Sequence, residues 1–169
     1  MINEKMQDAF NKQVTAEFYS AHLYLSMAAY LESIDLPGFA NWMRIQYQEE
    51  VSHAMKMFDY VVERDGRATI TGFEDPQVEW KSALDIFEGA YSHEQKVTGL
   101  INNLMDIAIT EKDHAANIFL QWFVNEQVEE EASAKGIIQQ LKMLGDSKGG
   151  LFQMDRELGQ RVFTPPASE

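Results

Sequence analysis

The chain contains no cysteine, so disulfides, thiolate metal sites and a cysteine nucleophile are excluded, and any metal here must be held by oxygen and nitrogen. No apolar run approaches the roughly 18 residues of a membrane span. The opening MINEKMQDAF has neither the basic end nor the apolar centre of a signal peptide, so the expected location is cytoplasmic, with no membrane partner. Strand alternation is missing, and only four prolines and ten glycines interrupt the helical periodicity. Basic residues are scarce: 14 Lys and Arg stand against 27 Asp and Glu, a formal charge of −13. That imbalance argues against nucleic acid as a partner and makes cations the natural small partners, although an acidic surface by itself simply favours solubility.

At 169 residues, 45% hydrophobic and 24% charged, the chain suits one globular domain, residues 1–169, with a substantial core. Phe10, Val14, Ala21, Tyr24, Ala28 and Leu31 recur at steps of three and four and predict a first helix from about Asn3 to Glu32, broken at SIDLPGF. A second follows Pro37 and runs to about Arg64, where Asp65-Gly66 ends it. GRATITGFEDPQ has turn residues and no helical period, and reads as a long connection. A third helix, from about Lys81 to Ile109, turns through TEKDH into a fourth, from about Asp113 to Leu144, which Gly145 ends. A shorter amphipathic piece around Leu151, Met154 and Leu158 precedes a TPPASE tail. Each long helix spans roughly 40 to 45 Å, and a connection of about 15 residues reaches about 50 Å, just enough to cross that length. Short turns make the first pair and the last pair antiparallel. The expected fold is all-α, a four-helix bundle with one long crossover and a short fifth helix at the C-terminus.

Extending each apolar stripe exposes a pattern. The first runs Phe10, Val14, Glu17, Ala21, Tyr24, Ala28, and the second Phe39, Trp42, Gln46, Glu50, His53, Met57, Tyr60. The third runs Leu84, Phe87, Tyr91, Glu94, Thr98, Ile101, and the fourth Phe119, Phe123, Gln127, Glu130, Ala134, Ile137, Leu141. Each core face is interrupted near its middle by polar groups. One such interruption alone is ordinary, because stripes drift and a buried histidine can find a carbonyl. Their depth is not: Glu17 lies 18 residues before Asp35 and Glu50 lies 15 after it, while Glu94 and Glu130 each lie 18 from Lys112. If the crossover makes the second and third helices parallel, all four glutamates share one layer. Four carboxylates cannot all ionise in a dry layer without compensation, because desolvation and mutual repulsion raise their pKa values. Two divalent ions would supply the missing charge, with His53 as a neutral nitrogen ligand, and this oxygen-rich set suits iron or manganese.

These residues resemble those of the ferritins, specifically the haem-free bacterial and archaeal type. NKQVTAEFYSAHLYLSMAAY, GFANWM, EEVSHAMKM, YSHEQ and FLQWFVNEQVEEEASA fall in the family's order and spacing over nearly the whole chain. The intra-bundle carboxylate pattern is the established one of ferritin-like di-iron proteins. The resemblance implies one iron held by Glu17, Glu50 and His53 and a second by Glu50, Glu94 and Glu130 with Gln127 beside it. Tyr24 matches the tyrosine next to the metals, and Glu49, Glu126 and Glu129 match an additional third iron site. Glu131 is expected to belong to a solvated acidic run. The pattern also departs from its relatives. Gln127-Val128-Glu129-Glu130 stands where a second E-x-x-H would make the site symmetric, and Val51 stands where bacterioferritins carry a haem-ligating methionine, so no haem is expected. Leu120 and Asn117 occupy the places of the acidic residues that line the threefold channel of animal heavy chains, which leaves the iron route open.

The resemblance further implies a ferroxidase that oxidises Fe(II) with dioxygen or peroxide and stores ferric mineral inside a shell of 24 subunits, with the short fifth helix around the fourfold axis. Two other readings compete. One is an iron-buffer subunit without catalysis, which loss of a core ligand would have suggested. The other is a small di-iron oxygenase or peroxidase, which should form a monomer or dimer with an apolar channel beside the site. A miniferritin of the DNA-protecting type fits less well, since it usually lacks the fifth helix. His22, His93 and His114 are expected to be ordinary surface or partner-packing histidines.

Overall fold

The computed structural model describes residues 1–165; the last four residues of the TPPASE tail lie outside the described residues. Among the described residues five helices follow in order: α1 Glu4–Ser33, α2 Pro37–Glu63, α3 Ala83–Thr110, α4 His114–Leu144 and α5 Lys148–Leu158. Four starts carry their own cap. Asn3, Ser82, Asp113 and Ser147 accept hydrogen bonds from the amides of Met6, Asp85, Ala116 and Gly150. The start of α2 has Pro37 but no capping side chain of its own. Its amides are served from the far end of the chain: Gly38 and Phe39 donate to Asp155 Oδ1 of α5 at 2.7 and 3.0 Å.

Three long helices end on a residue in the left-handed region, Asp35, Asp65 and Lys112, with φ of 60°, 56° and 54°. At the α2 stop Asp65 makes the turn, and the following Gly66 does not need its conformational freedom. Gly145 takes positive φ after α4, as its position predicts.

Residues 64–82 form the crossover, and α1 is its track. Arg67 N donates to Gln7 Oε1, Thr69 N to Asn11 Oδ1, the Thr15 and Thr71 hydroxyls meet, and Ser26 and Tyr30 donate to the Gln77 and Trp80 carbonyls. The partners ascend together, so the crossover runs in the direction of α1. It therefore delivers α3 parallel to α2, as the layer requires.

The core is two cores. One apolar cluster contains Tyr24, Met27, Phe39, Trp42, Phe87 and Ile138, and receives Met154 from α5. The other contains Met6, Phe10, Met57, Ile101, Leu120 and Phe123. Between them, among the described residues, sit nine buried polar side chains: Gln13, Glu17, Ser20, Gln46, Glu50, His53, Glu94, Gln127 and Glu130. The stripes of α1 and α2 are buried as predicted. The stripe of α3 is displaced: Leu84, Tyr91 and Thr98 are only half-buried, and the interior takes Ala83, Ile86, Ala90 and Val97 instead. A stripe with the 3.5-residue period drifts off one face of a 3.6-residue helix, and small alanines fit where helices approach closely. Phe119 of α4 is likewise half-buried.

Candidate metal centre

Each of the four long helices brings a carboxylate into the polar layer. Glu17, Glu50 and Glu94 are each 1% exposed, Glu130 5% and His53 3%. Burial of this degree is costly for a carboxylate, and the neighbours of each one are accordingly specific. Gln13 Nε2 donates to Glu17 Oε1 at 2.8 Å, one helical turn away on the same face. Tyr24 donates its hydroxyl to Glu94 Oε1. Gln127 Nε2 donates to Glu94 Oε2 at 3.1 Å, and Gln46 Nε2 donates to Glu130 Oε2 at 2.7 Å. Glu50 Oε2 is the exception. Among the described residues it is the one buried side-chain oxygen or nitrogen with no hydrogen-bond partner.

The donor atoms converge in two groups. One atom each from Glu17, Glu50 and His53 lie within 4.8 Å of one another, and so do atoms of His53, Glu126 and Glu130. His53 serves both, with Nδ1 3.6 Å from Glu50 Oε2 and Nε2 4.0 Å from Glu126 Oε1. The first group is the set that the family resemblance implies for one iron. Glu94 joins neither group, because Tyr24 and Gln127 hold it, so Glu50, Glu94 and Glu130 are gathered in one layer but not as closely as the first three. Glu49 and Glu126 are half-buried and Glu129 exposed at the layer's edge. Burial raises Glu49 and Glu126 above their ordinary values; Arg161 pulls Glu49 back, while the charge of Glu129 adds to the rise of both and that of Glu49 to the rise of Glu126.

The electrostatics follow from burial. Burial raises Glu17 above its ordinary value against the pull of hydrogen bonds with Glu50 and Gln13. Glu50 is raised well above it by burial and then by the charges of Glu94 and Glu17. Burial pushes Glu94 up to about 7 despite the donors Tyr24 and Gln127, and burial with the Glu94 charge pushes Glu130 up to about 8. Tyr24 is raised well above its usual value by burial and the nearby carboxylates, so it remains a phenol and a donor. Burial, then the Lys56 charge, lowers His53 to about 4. At neutral pH its imidazole is therefore neutral and has a lone pair to give. A layer that resists negative charge, contains a neutral nitrogen donor and leaves one carboxylate oxygen bare is matched by divalent cations of the hard-to-intermediate kind.

One residue does not behave as the sequence suggested. Glu131 is half-buried and accepts a hydrogen bond from Thr98 Oγ1 at 2.6 Å, so it belongs to the network around Gln127 and not to a solvated run. Leu120 lies in the second apolar cluster, and the Asn117 amide donates to Met105 Sδ at 3.1 Å. Of the remaining histidines, His22 and His114 are exposed, while His93 is half-buried with Nε2 2.8 Å from Ser20 Oγ. Two participants were missed. Gln13 had a signal, its spacing of four from Glu17. Arg161, whose Nη1 donates to Gln46 Oε1 at 2.5 Å and Nη2 to Glu49 Oε2 at 2.7 Å, had none, because it comes from beyond α5.

The ferritin-like domain family model matches residues 7–144. A bacterial non-haem ferritin of Bacteroides fragilis is 47% identical over 161 residues, 95% of this chain and all of its own. One of Staphylococcus saprophyticus is 40% identical over 163 residues, 96% of this chain and 98% of its own. Among solved structures, an engineered closed form of the Archaeoglobus fulgidus ferritin superposes with a TM-score of 0.96 at 54% identity, covering 97% of this chain and 100% of that one. The open-pore ferritin of the same archaeon gives 0.94 at 54% identity, covering 95% and 98%.

Proposed function

The chain belongs to the ferritin family, among the non-haem ferritins, and on that premise we propose that its buried carboxylate layer is the ferroxidase centre of an iron-storing shell. The protein stores iron and oxidises Fe(II) to Fe(III). The observation that carries the placement of the centre is the bare Glu50 Oε2 at the point where Glu17 and His53 converge. A buried oxygen without a partner costs about 1 to 3 kcal/mol, and more if it is charged. A cation is the partner that its surroundings fit.

Two Fe(II) ions are the substrate. Glu17, Glu50 and His53 hold one, and Glu50, Glu94 and Glu130, with Gln127 beside them, hold the other. Glu50 bridges, as in two-metal sites whose ions stand about 3.5 to 4 Å apart. Each arriving cation favours the ionised carboxylates and discharges the protons that burial keeps on them. The two ions give up two electrons. Dioxygen takes them with two protons and leaves as hydrogen peroxide; with hydrogen peroxide as the oxidant, the same two electrons and two protons yield two waters. Tyr24 steadies Glu94 through its hydroxyl hydrogen bond. Glu49, Glu126 and Glu129 receive a third iron and pass Fe(III) on toward mineral. Twenty-four copies form the shell, with α5 at the fourfold axis, and Val51 leaves haem without a ligand.

The test adds Fe(II) aerobically to size-fractionated, metal-free protein and follows ferric-oxo absorbance, with Glu94→Ala and His53→Ala alongside. Fast oxidation of about two irons per subunit, slowed in both variants and retained in a large particle, is the expected result. Oxidation no faster than in buffer would overturn the assignment.

A further inference from the structure

Arg161 lies past the end of α5, yet its guanidinium closes one edge of the polar layer. Nη2 donates to Glu49 Oε2 at 2.7 Å, and Nη1 donates to Gln46 Oε1 at 2.5 Å and to the Trp42 carbonyl at 3.4 Å. The guanidinium carbon stands 4.7 Å from the centre of the Trp42 ring. Its backbone is pinned as well, for Asn41 Nδ2 donates to the carbonyls of Leu158 at 3.2 Å and Arg161 at 3.0 Å. Gln46 relays the contact inward through its 2.7 Å bond to Glu130 Oε2. One cation thus touches Glu49 directly and Glu130 through a fixed amide. The ion pair is sheltered, with side chains 26% and 19% exposed, and a planar fork that is both stacked and doubly engaged holds its geometry better than a free surface pair.

We propose that Arg161 is the built-in counter-ion of the third cation position, a positioning residue that keeps binding at Glu49, Glu126 and Glu129 weak and reversible while it holds Gln46 against Glu130. The proposal rests on the ferroxidase reading of the layer. A divalent ion arriving at these carboxylates must displace the fork from Glu49 or bind beside a positive charge, and either lowers affinity. Departure of the ion is assisted, because Trp42 and Asn41 keep the place to which the guanidinium returns. A position through which Fe(III) travels needs this weakness, since a tight third site would retain its ion and block traffic from the two inner positions.

The experiment titrates the assembled, metal-free protein anaerobically with Zn(II), which undergoes no oxidation, and resolves the sites by calorimetry in the wild type, Arg161→Gln and Asn41→Ala. Arg161→Gln removes the charge and keeps a hydrogen-bonding side chain; Asn41→Ala keeps the charge and releases the segment that aims it. The third Zn(II) is expected to bind at least about tenfold more tightly in Arg161→Gln, by loss of a like charge a few ångströms away. A smaller gain of about threefold is expected in Asn41→Ala, where the charge persists but its aim is lost. Elution volume and melting temperature establish that each variant assembles, and Asn41→Ala carries the test alone if Arg161→Gln does not. Two inner Zn(II) ions bound normally with an unchanged or weaker third would overturn the proposal. Absence of any Zn(II) binding in the wild type would overturn the ferroxidase reading itself and the proposal with it, an outcome distinct from the former.

Discussion

Glu130→Gln should stabilise the metal-free protein, increasingly as pH rises from 4.5 toward 8. The ordinary value of this carboxyl is 4.5, and in the fold it is pushed up to about 8, chiefly by burial and then by the Glu94 charge. Between those two values the folded chain keeps a proton that the unfolded chain has released. Stability therefore falls as pH rises from 4.5 toward 8 and levels off above it. At about 1.4 kcal/mol per pH unit the full cost reaches about 5 kcal/mol, and relaxation with water penetration should leave about 2 to 4 kcal/mol to be measured. Glutamine is neutral throughout and retains an oxygen to accept from Gln46, which now donates to Glu130 at 2.7 Å. Other groups titrate as well. Asp113, where hydrogen bonds from Ala116 and Arg64 outweigh burial, lies below its ordinary value and loses its contribution as pH falls. Such groups are common to both chains and cancel in the difference. Denaturant unfolding followed by circular dichroism, in chelator-treated samples from pH 5 to 9, gives that difference directly. It should be near zero at pH 5 and grow in favour of the variant toward pH 9. A difference that is flat with pH, or a variant less stable at pH 9, would refute the electrostatic account of the layer. Saturating Zn(II) should reverse the order at pH 8, since the wild type gains more from the ligand it was built to hold.

Four further outcomes are expected. His53→Ala should weaken inner-site Co(II) binding and slow Fe(II) oxidation on the order of 10- to 100-fold, and ligand-field spectra identical to the wild type would remove His53 from the ligand set. Tyr24→Phe deletes the hydroxyl that lowers Glu94, so Glu94 should move above its present value of about 7; the pH midpoint of oxidation should rise in the intact particle, and an unshifted profile would count against it. Asp155→Ala removes the acceptor for two α2 amides and should cost about 1 to 2 kcal/mol, with earlier proteolysis between α4 and α5. Gly38→Ala should do the same by a different route, because its Cβ would run into the Asp155 carbonyl; protease resistance in both would show that α5 does not depend on this contact.

The sequence displayed what is periodic and local. Four helices, their stops and the common depth of Glu17, Glu50, Glu94 and Glu130 follow from spacing, since a helix converts sequence distance into height with little error. His53 beside Glu50 follows from the same geometry at three residues. The stripe of α3 was mis-set because Leu84, Tyr91 and Thr98 have the larger apolar or amphipathic surface, while the interior there takes the alanines. Glu131 was mis-set because a run of three glutamates cannot say which of its members turns back toward a threonine on another helix. Asp155 and Arg161 were out of reach altogether. Their contacts span more than a hundred residues, and nothing periodic connects α5 to the start of α2.

Those two long-range contacts define what α5 does within the subunit. Asp155 accepts from the otherwise unpaired amides at the start of α2, a helix whose own sequence provides no capping side chain. Six residues later Arg161 reaches Glu49 and Gln46 on the same helix, one at the rim and one inside the polar layer. The short helix and the segment that follows it therefore hold α2 at its start and again at the depth of the carboxylate layer. The layer needs such external support more than an apolar core would, because its buried carboxylates repel one another and contribute no hydrophobic adhesion between the two clusters that flank it. Loss of α5 docking should thus be felt first at the carboxylate layer, through Gln46 and Glu130, before either apolar cluster loosens.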